Sequence, residues 1–375
     1  MIQRLIICRF VALLSLLALA AIAAPTLGRS KGQAGDEPRF RLAIVGINHA
    51  HAWGHLRRIV RNPDIEIVGI ADPIADLREE AAKAAPGVPI YEDYRKLLDE
   101  KKPEAVWSFV ENSRHLEVTR ACATRGIHVI FEKPMSATYD QAKEMLALAN
   151  KHKIKLMVNY QMAWWPENHA AHNLAESGKL GKVWRVRSII GHGGPEPSGP
   201  GDVRGRHFWD WLNDEQRGGG ALLDFTCYGA VWLRWYLGLP KTVYAVTTHT
   251  RTDVYKTNTT AAVLATFADN GVGIIEASWD LPRGFQDVEV LGSRGSVFMA
   301  RNRIEALIGN QRQEIAVEPL VEDRRDAINY FISRVRGHKP IEGMVGPEFN
   351  VEVMQIVEAA RRSVKSGKPV GLPLQ

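Results

Sequence analysis

Arg41-Leu42-Ala43-Ile44-Val45-Gly46 is a near-continuous apolar run, the pattern of a strand buried on both faces. It is the first of a series. A helical pattern runs from about Ala52 to Asn62, and Ile65 to Asp72 reads as a second strand ending in an acid. Leu77 to Ala85 is helical, Ile90-Tyr91 is a short strand, and Asp93 to Asp99 is a short helix. Ala105 to Val110 and His128 to Phe131 are strands separated by a helix from His115 to Arg125. Tyr139 to His152 is helical and Lys155 to Val158 is the next strand. Strands and helices alternating at this spacing predict a doubly wound parallel sheet. Ligands of such sheets sit at the carboxyl ends of the strands.

The pattern changes after residue 158. Trp184 to Ile190, Thr242 to Thr248, Ala261 to Phe267, Val272 to Trp279 and Asp287 to Leu291 are longer and alternate in polarity. Asp269-Asn270-Gly271 reads as a hairpin turn. This half predicts an open antiparallel sheet with helices to one side, and a last helix from about Asn350 to Ser366. The fold class is therefore α/β: a Rossmann-type domain over 39–157, then an α+β domain over 158–375. With 45% hydrophobic and 24% charged residues, both domains can hold a real core.

The first residues differ from the rest. Arg4 and Arg9 precede the uncharged run Phe10 to Ala24, which ends in small residues. That is the layout of a secretory signal peptide over 1–24, with a polar lead-in over 25–38. The run has 15 residues, short of the ~20 that a spanning helix needs. A periplasmic or secreted protein with no stable membrane span after cleavage is expected, an uncleaved anchor being the alternative. Cys122 and Cys227 would remain and read as two buried free thiols. The net charge of +6 is spread along the chain, and no nucleic-acid partner is expected.

Glu132-Lys133-Pro134 closes the fifth strand. A lysine at that edge can orient a substrate hydroxyl as it loses its proton. Asn112 and His115 come earlier, after the fourth strand, and farther on come Gly218-Gly219-Gly220-Ala221-Leu222-Leu223-Asp224 and Gly292-Ser293-Arg294-Gly295-Ser296. Together with Asp72, these segments resemble the glucose-fructose oxidoreductase/inositol dehydrogenase/rhizopine catabolism (Gfo/Idh/MocA) family over nearly all of residues 40–375. The resemblance implies an NAD- or NADP-dependent oxidoreductase of a sugar, polyol or sugar derivative, with substrate between the domains. It implies that Lys133 is the catalytic lysine and that Asp224 and Tyr228 form the second catalytic motif, where most members carry Asp-x-x-x-His. Positions four apart share a helix face, and a phenol beside Lys133 would have its anion favoured. The plain alternative for Tyr228 is a packing aromatic. The cofactor residues expected are Gly46, Asn48, His49, His51, Asp72, Asn112, His115, Glu132 and Lys133. The acid at Asp72 argues for NAD, with NADP as the alternative, and export argues for a tightly held cofactor.

One departure stands out. The dinucleotide fingerprint expects Gly-x-Gly-x-x-Gly, and this chain reads Gly46-Ile47-Asn48-His49-Ala50-His51. Asn48 crowds the pyrophosphate approach, and His51 puts bulk where helix meets sheet, so cofactor binding should be weakened or altered. His49-x-His51 with His55 also resembles a metal pair, but the barrel context for it is missing, and no metal is expected. Trp164, Trp165, Trp209 and Trp211 should sit in loops facing the cleft, where they could stack on sugar rings or simply pack. His192 to His207 reads as a long Gly/Pro loop, a lid or an insertion. Two rival functions remain open: a glycosidase or lyase using transient sugar oxidation, and a non-catalytic sugar binder with a degenerate cofactor site. A homo-oligomer through the antiparallel sheet is the partner expectation beyond a small sugar-type substrate.

Overall fold

The computed structural model describes residues 38–374. The expected signal peptide, and the lead-in up to residue 37, lie outside the described residues. Among the described residues no helix is long and apolar enough to cross a membrane.

The first half contains β1 (Phe40–Val45), α1 (His51–Ile59), β2 (Ile65–Ala71), α2 (Ala75–Ala84), β3 (Ile90–Tyr91), α3 (Tyr94–Lys101), β4 (Ala105–Ser108), α4 (His115–Ala123), β5 (His128–Glu132), α5 (Tyr139–His152) and β6 (Leu156–Asn159). The strand order is β3-β2-β1-β4-β5-β6, all parallel. This is the doubly wound dinucleotide-binding order, with its switch point between β1 and β4. Its central strands are buried, β4 along its whole length and β1 everywhere but Arg41, as their apolar runs require. The sheet continues to Asn159, two residues past the expected boundary.

The second half contains α6 (Pro166–Glu176), β7 (Val183–Gly191), α7 (Val203–Leu212), α8 (Ala221–Leu237), β8 (Thr242–Thr248), β9 (Thr260–Thr266), β10 (Val272–Ser278), β11 (Phe285–Gly292), β12 (Gly295–Ala300), β13 (Arg303–Ile308), β14 (Gln311–Gln313), α9 (Ala327–Arg336), α10 (Pro347–Ser366) and β15 (Val370–Gly371). They build a nine-stranded sheet ordered β14-β13-β12-β11-β7-β10-β9-β8-β15. The expectation of a purely antiparallel sheet is corrected at one place. β10 runs parallel to β7, because α7 and α8 intervene between β7 and β8 and reset the direction of the meander. The hairpin at Asp269-Asn270 is present, with both residues at positive φ.

α8 is the element that matters most for chemistry. It is apolar nearly all round and lies against β7 and β10. A Cβ on Gly229 would stand 2.4 Å from Ile275 Cγ2, so only glycine lets this helix approach the sheet so closely. The approach fixes the amino-terminal turns of α8, with Asp224 and Tyr228, over the carboxyl end of β5.

Candidate active site

Lys133 follows β5 directly and is 5% exposed, while Asp224 on α8 is 8% exposed. The Lys133 ammonium donates to Asp224 Oδ1 and, at 3.2 Å, to the Asp224 carbonyl. The other carboxylate oxygen accepts from Trp279 Nε1 at 3.0 Å. Burial works against the Lys133 charge, but Asp224 outweighs it and holds the ammonium above the ordinary lysine range. Asp224 is likewise held low, its burial overcome by Lys133. Asp224 thus holds the lysine.

Tyr228 lies one turn along α8, with Lys133 Nζ 5.1 Å from its ring centroid. Its hydroxyl makes no hydrogen bond with the described residues. The expected easy ionisation of this phenol is corrected: burial raises its pKa, and the nearby ammonium only partly offsets that. At neutral pH both groups therefore keep their protons. Two residues that the sequence did not single out complete the cluster. Trp279 clamps Asp224 from the end of β10. The His192 ring sits edge-on to Phe225, 5.1 Å between centroids, and its Nδ1 accepts from Gly194 N at 2.9 Å. Alternation along β10 could have marked Trp279 as inward-facing; nothing local marked His192.

Behind Lys133, Glu132 is fully buried. It accepts from His51 Nδ1 at 2.8 Å and Asn159 Nδ2 at 2.8 Å, with His55 Nε2 at 3.4 Å. Burial alone would raise this carboxyl, yet chiefly the hydrogen bond from His51 holds it well below the usual range. The bulk at position 51 thus has a place: the imidazole turns into the sheet edge and bonds Glu132. His51 and His55 address a carboxylate. The buried His49 stays neutral, chiefly because burial disfavours its charge.

The other expected residues divide. Asp72 accepts from Ile47 N and Ile74 N, both at 2.8 Å, so each carboxylate oxygen already holds a backbone amide. Arg78 stands near it and donates to the Asp72 and Pro73 carbonyls, both at 2.9 Å. His115 is buried, with its ring nitrogens 3.0 Å from the Met135 carbonyl and 3.3 Å from that of Val110. Burial pushes its pKa down to about 4. It braces the loops after β4 and β5. Asn112 donates to the Gly218 carbonyl at 2.8 Å, joining the two halves at the glycine triplet.

The tryptophans are corrected in the same way. Trp209 and Trp211 lie on helix α7, not in loops. Trp211 is fully buried and donates to the Asn48 carbonyl at 3.1 Å. Trp209 packs on Tyr255, 5.0 Å between centroids. The Gly/Pro loop therefore ends at Asp202, which caps α7 through Gly205 N. α7 is tied to α2 by Arg204 to Glu80 at 2.9 Å and by Arg206 and His207 to Asp76 at 2.8 and 2.9 Å. Trp164 and Trp165 do reach a cavity, one of about 600 Å³ beside α1 and β6. Lys133, Asp224 and Tyr228 do not line it. The expected free thiols are there: Cys122 and Cys227 are buried and unpaired.

Comparison with known families fits this layout. Residues 40–160 match the family described as "Oxidoreductase family, NAD-binding Rossmann fold", and residues 168–298 match the GFO/IDH/MocA C-terminal domain. The chain belongs to the Gfo/Idh/MocA oxidoreductases. A curated member, D-xylose 1-dehydrogenase (NADP(+)) 2 of Haloferax volcanii, is 28% identical over 308 residues, covering 79% of this chain and 90% of that protein. The D-glucoside 3-dehydrogenase of Escherichia coli is 22% identical, covering 89% of this chain and 97% of that protein. Among solved structures, aldose-aldose oxidoreductase from Caulobacter crescentus, complexed with glycerol, superposes with a TM-score of 0.75 at 22% identity, covering 89% of this chain and all of that one.

The carboxyl edge keeps one fingerprint glycine and offers polar groups that suit a nicotinamide dinucleotide. Gly46 has φ +73°, and a Cβ there would meet Val110 at 2.4 Å, so the tight turn after β1 is intact. α1 begins without a side-chain cap and without an acid in its first turn, which leaves its positive end available to phosphate. Asn48 Oδ1 and Asn112 Oδ1 are buried acceptors without partners, at the ends of β1 and β4. Such orphaned oxygens suit the hydroxyl and amide donors of the cofactor. The residues present fit the group.

Proposed function

We propose that this oxidoreductase works outside the cytoplasm on a sugar, polyol or sugar derivative, with Lys133 and Tyr228 serving the substrate oxygen. The observation that carries the reading is the Lys133–Asp224 pair, with the unpartnered Tyr228 hydroxyl beside it, at the carboxyl edge of an NAD-binding sheet. When bound, the cofactor takes or returns a hydride at the sugar carbon. Lys133 donates a hydrogen bond to the oxygen on that carbon, and Asp224 keeps the ammonium charged and aimed. Tyr228 gives its proton when that oxygen is a carbonyl and, by microscopic reversibility, takes one when it is a hydroxyl. The names of the two curated relatives, a xylose and a glucoside dehydrogenase, support the sugar class. Export rests on the basic, apolar and small-residue order of residues 1–24. The half-exposed face of the nine-stranded sheet, with Tyr244, Val246 and Leu264, supports self-association there.

The test is to denature protein purified from its native host and assay the supernatant for NAD(H) and NADP(H), then identify products from sugars and aryl glycosides. Released cofactor and a keto or lactone product are expected. A released aglycone without net oxidation would replace this reading with a glycosidase or lyase one. Absence of both cofactor and turnover would leave a sugar-binding protein.

A further inference from the structure

The cavity of about 600 Å³ beside α1 takes no part in the chemistry above, although it lies within the size range of small-molecule sites. Its inner wall is His51, His55 and Asn159, the groups that hold Glu132. Trp164 forms part of the floor and donates from its indole to Asn159 Oδ1 at 2.9 Å. A chain of contacts therefore runs from the cavity through Asn159 to Glu132, whose neighbour in sequence is Lys133.

The rim is unusual in its charge. Arg57 and Arg58 from α1, Arg301 from the β12–β13 turn and Arg325 ahead of α9 all border this one opening, and all are exposed. Arg325 is paired with Glu322 at 2.7 Å. Arg57, Arg58 and Arg301 make no ion pair with the described residues; Arg301 only overlooks the Trp165 ring, 5.9 Å from its centroid. Asp326 is the single carboxylate on the lining. Guanidinium groups without partners, drawn from separate elements, create a positive field at the mouth, and their fork geometry matches an oxyanion. Aromatic walls below suit the apolar face of a sugar ring.

We infer that this cavity binds an acidic sugar unit, a ring carrying a carboxylate or a similar oxyanion, with Arg58 and Arg301 on the anion and Trp164 and Trp165 against the ring. The inference rests on the sugar-oxidoreductase reading and adds to it a second sugar site, apart from Lys133. Calorimetric titration of the full chain, as purified and at low ionic strength, compares D-glucuronate, D-glucose and sodium sulfate. Glucuronate should bind more tightly than glucose. In Arg58→Ala/Arg301→Ala its affinity should fall about tenfold, the worth of a charge-assisted hydrogen bond, while glucose is unchanged. Both positions are exposed, so melting should stay at the wild-type value. Equal affinity for glucuronate and glucose, or an unchanged glucuronate affinity in the double variant, overturns the proposal. So does sulfate binding as tightly as glucuronate, since the site would then read a bare anion. The two readings fail separately. Charge discrimination without redox turnover on any sugar defeats the oxidoreductase reading alone, and turnover without charge discrimination defeats this one alone.

Discussion

Asp224→Asn removes one charge and almost no volume, which makes it the sharpest probe of the buried pair. Asparagine has a single acceptor oxygen, whereas Lys133 and Trp279 now each use one oxygen of Asp224. One of them loses its side-chain acceptor, and Lys133 loses its counter-charge in either case, keeping only the main-chain carbonyl of residue 224 for certain. Leaving a buried cation unpaired costs about 3–5 kcal/mol. Lys133 has an escape, because it can shed its proton, and for an ordinary lysine that costs about 4.6 kcal/mol at pH 7. The ceiling falls to about 1.9 kcal/mol at pH 9, since each pH unit is worth about 1.4 kcal/mol. The signs are opposite in the two proteins. In the wild type the Lys133 pKa is raised, so its contribution is complete below the unfolded lysine value and is lost only as pH climbs past it. In the variant the folded pKa is depressed by burial, so stability rises with pH until the unfolded value is reached. At about 2 °C per kcal/mol for a chain of this size, the melting gap should be roughly 6–9 °C at pH 7 and about 4 °C at pH 9. Differential scanning fluorimetry across pH 6 to 9 reads this directly. A gap under about 2 °C at neutral pH, or one that does not narrow on the alkaline side, would refute the account of the pair.

Three further outcomes are expected. Lys133→Ala should lose about 10²–10⁴-fold in turnover while retaining cofactor, and wild-type-like turnover would remove Lys133 from the mechanism. Tyr228→Phe should cost turnover heavily and stability by well under about 1 kcal/mol, because its hydroxyl bonds nothing in the fold; combined with Lys133→Ala, the loss should fall far short of the product of the two. NAD should bind more tightly than NADP in calorimetry, since Asp72 opposes a 2′-phosphate and the Arg78 guanidinium is already engaged by the Asp72 and Pro73 carbonyls; equal or tighter NADP binding would contradict this.

Buried parallel strands announce themselves, because both faces must be apolar. Hence Leu42 to Val45 and Val129 to Phe131 marked the first sheet and placed Lys133 at its edge. Asp224 and Tyr228 were legible through the family resemblance of the segment that follows the glycine triplet, and positions four apart on one helix share a face. What was illegible depended on distant partners. Val203–Leu212 follows a Gly/Pro-rich stretch and contains a glycine, and it reads as helix only once Asp202 caps it and Trp211 finds Asn48. The burial of Tyr228 reversed the sign of the shift that its neighbour Lys133 alone suggests. His51 looked like an obstruction because its partner, Glu132, stands 81 residues away in sequence. The strands β14 and β15, three and two residues long, carry too few alternating positions to register alone.

The tie between α7, α2 and the turn after β1 has a bearing on metabolic economy. A dinucleotide resting on that turn would exchange slowly if the tie had to open to release it. Reducing equivalents would then pass between two carbohydrates on the same protein molecule, the first product leaving before the second reactant enters. Initial rates in double-reciprocal form should give parallel lines. Flux would follow the supply of a second carbohydrate as electron acceptor and ignore any soluble coenzyme pool, which suits a compartment where such a pool is scarce.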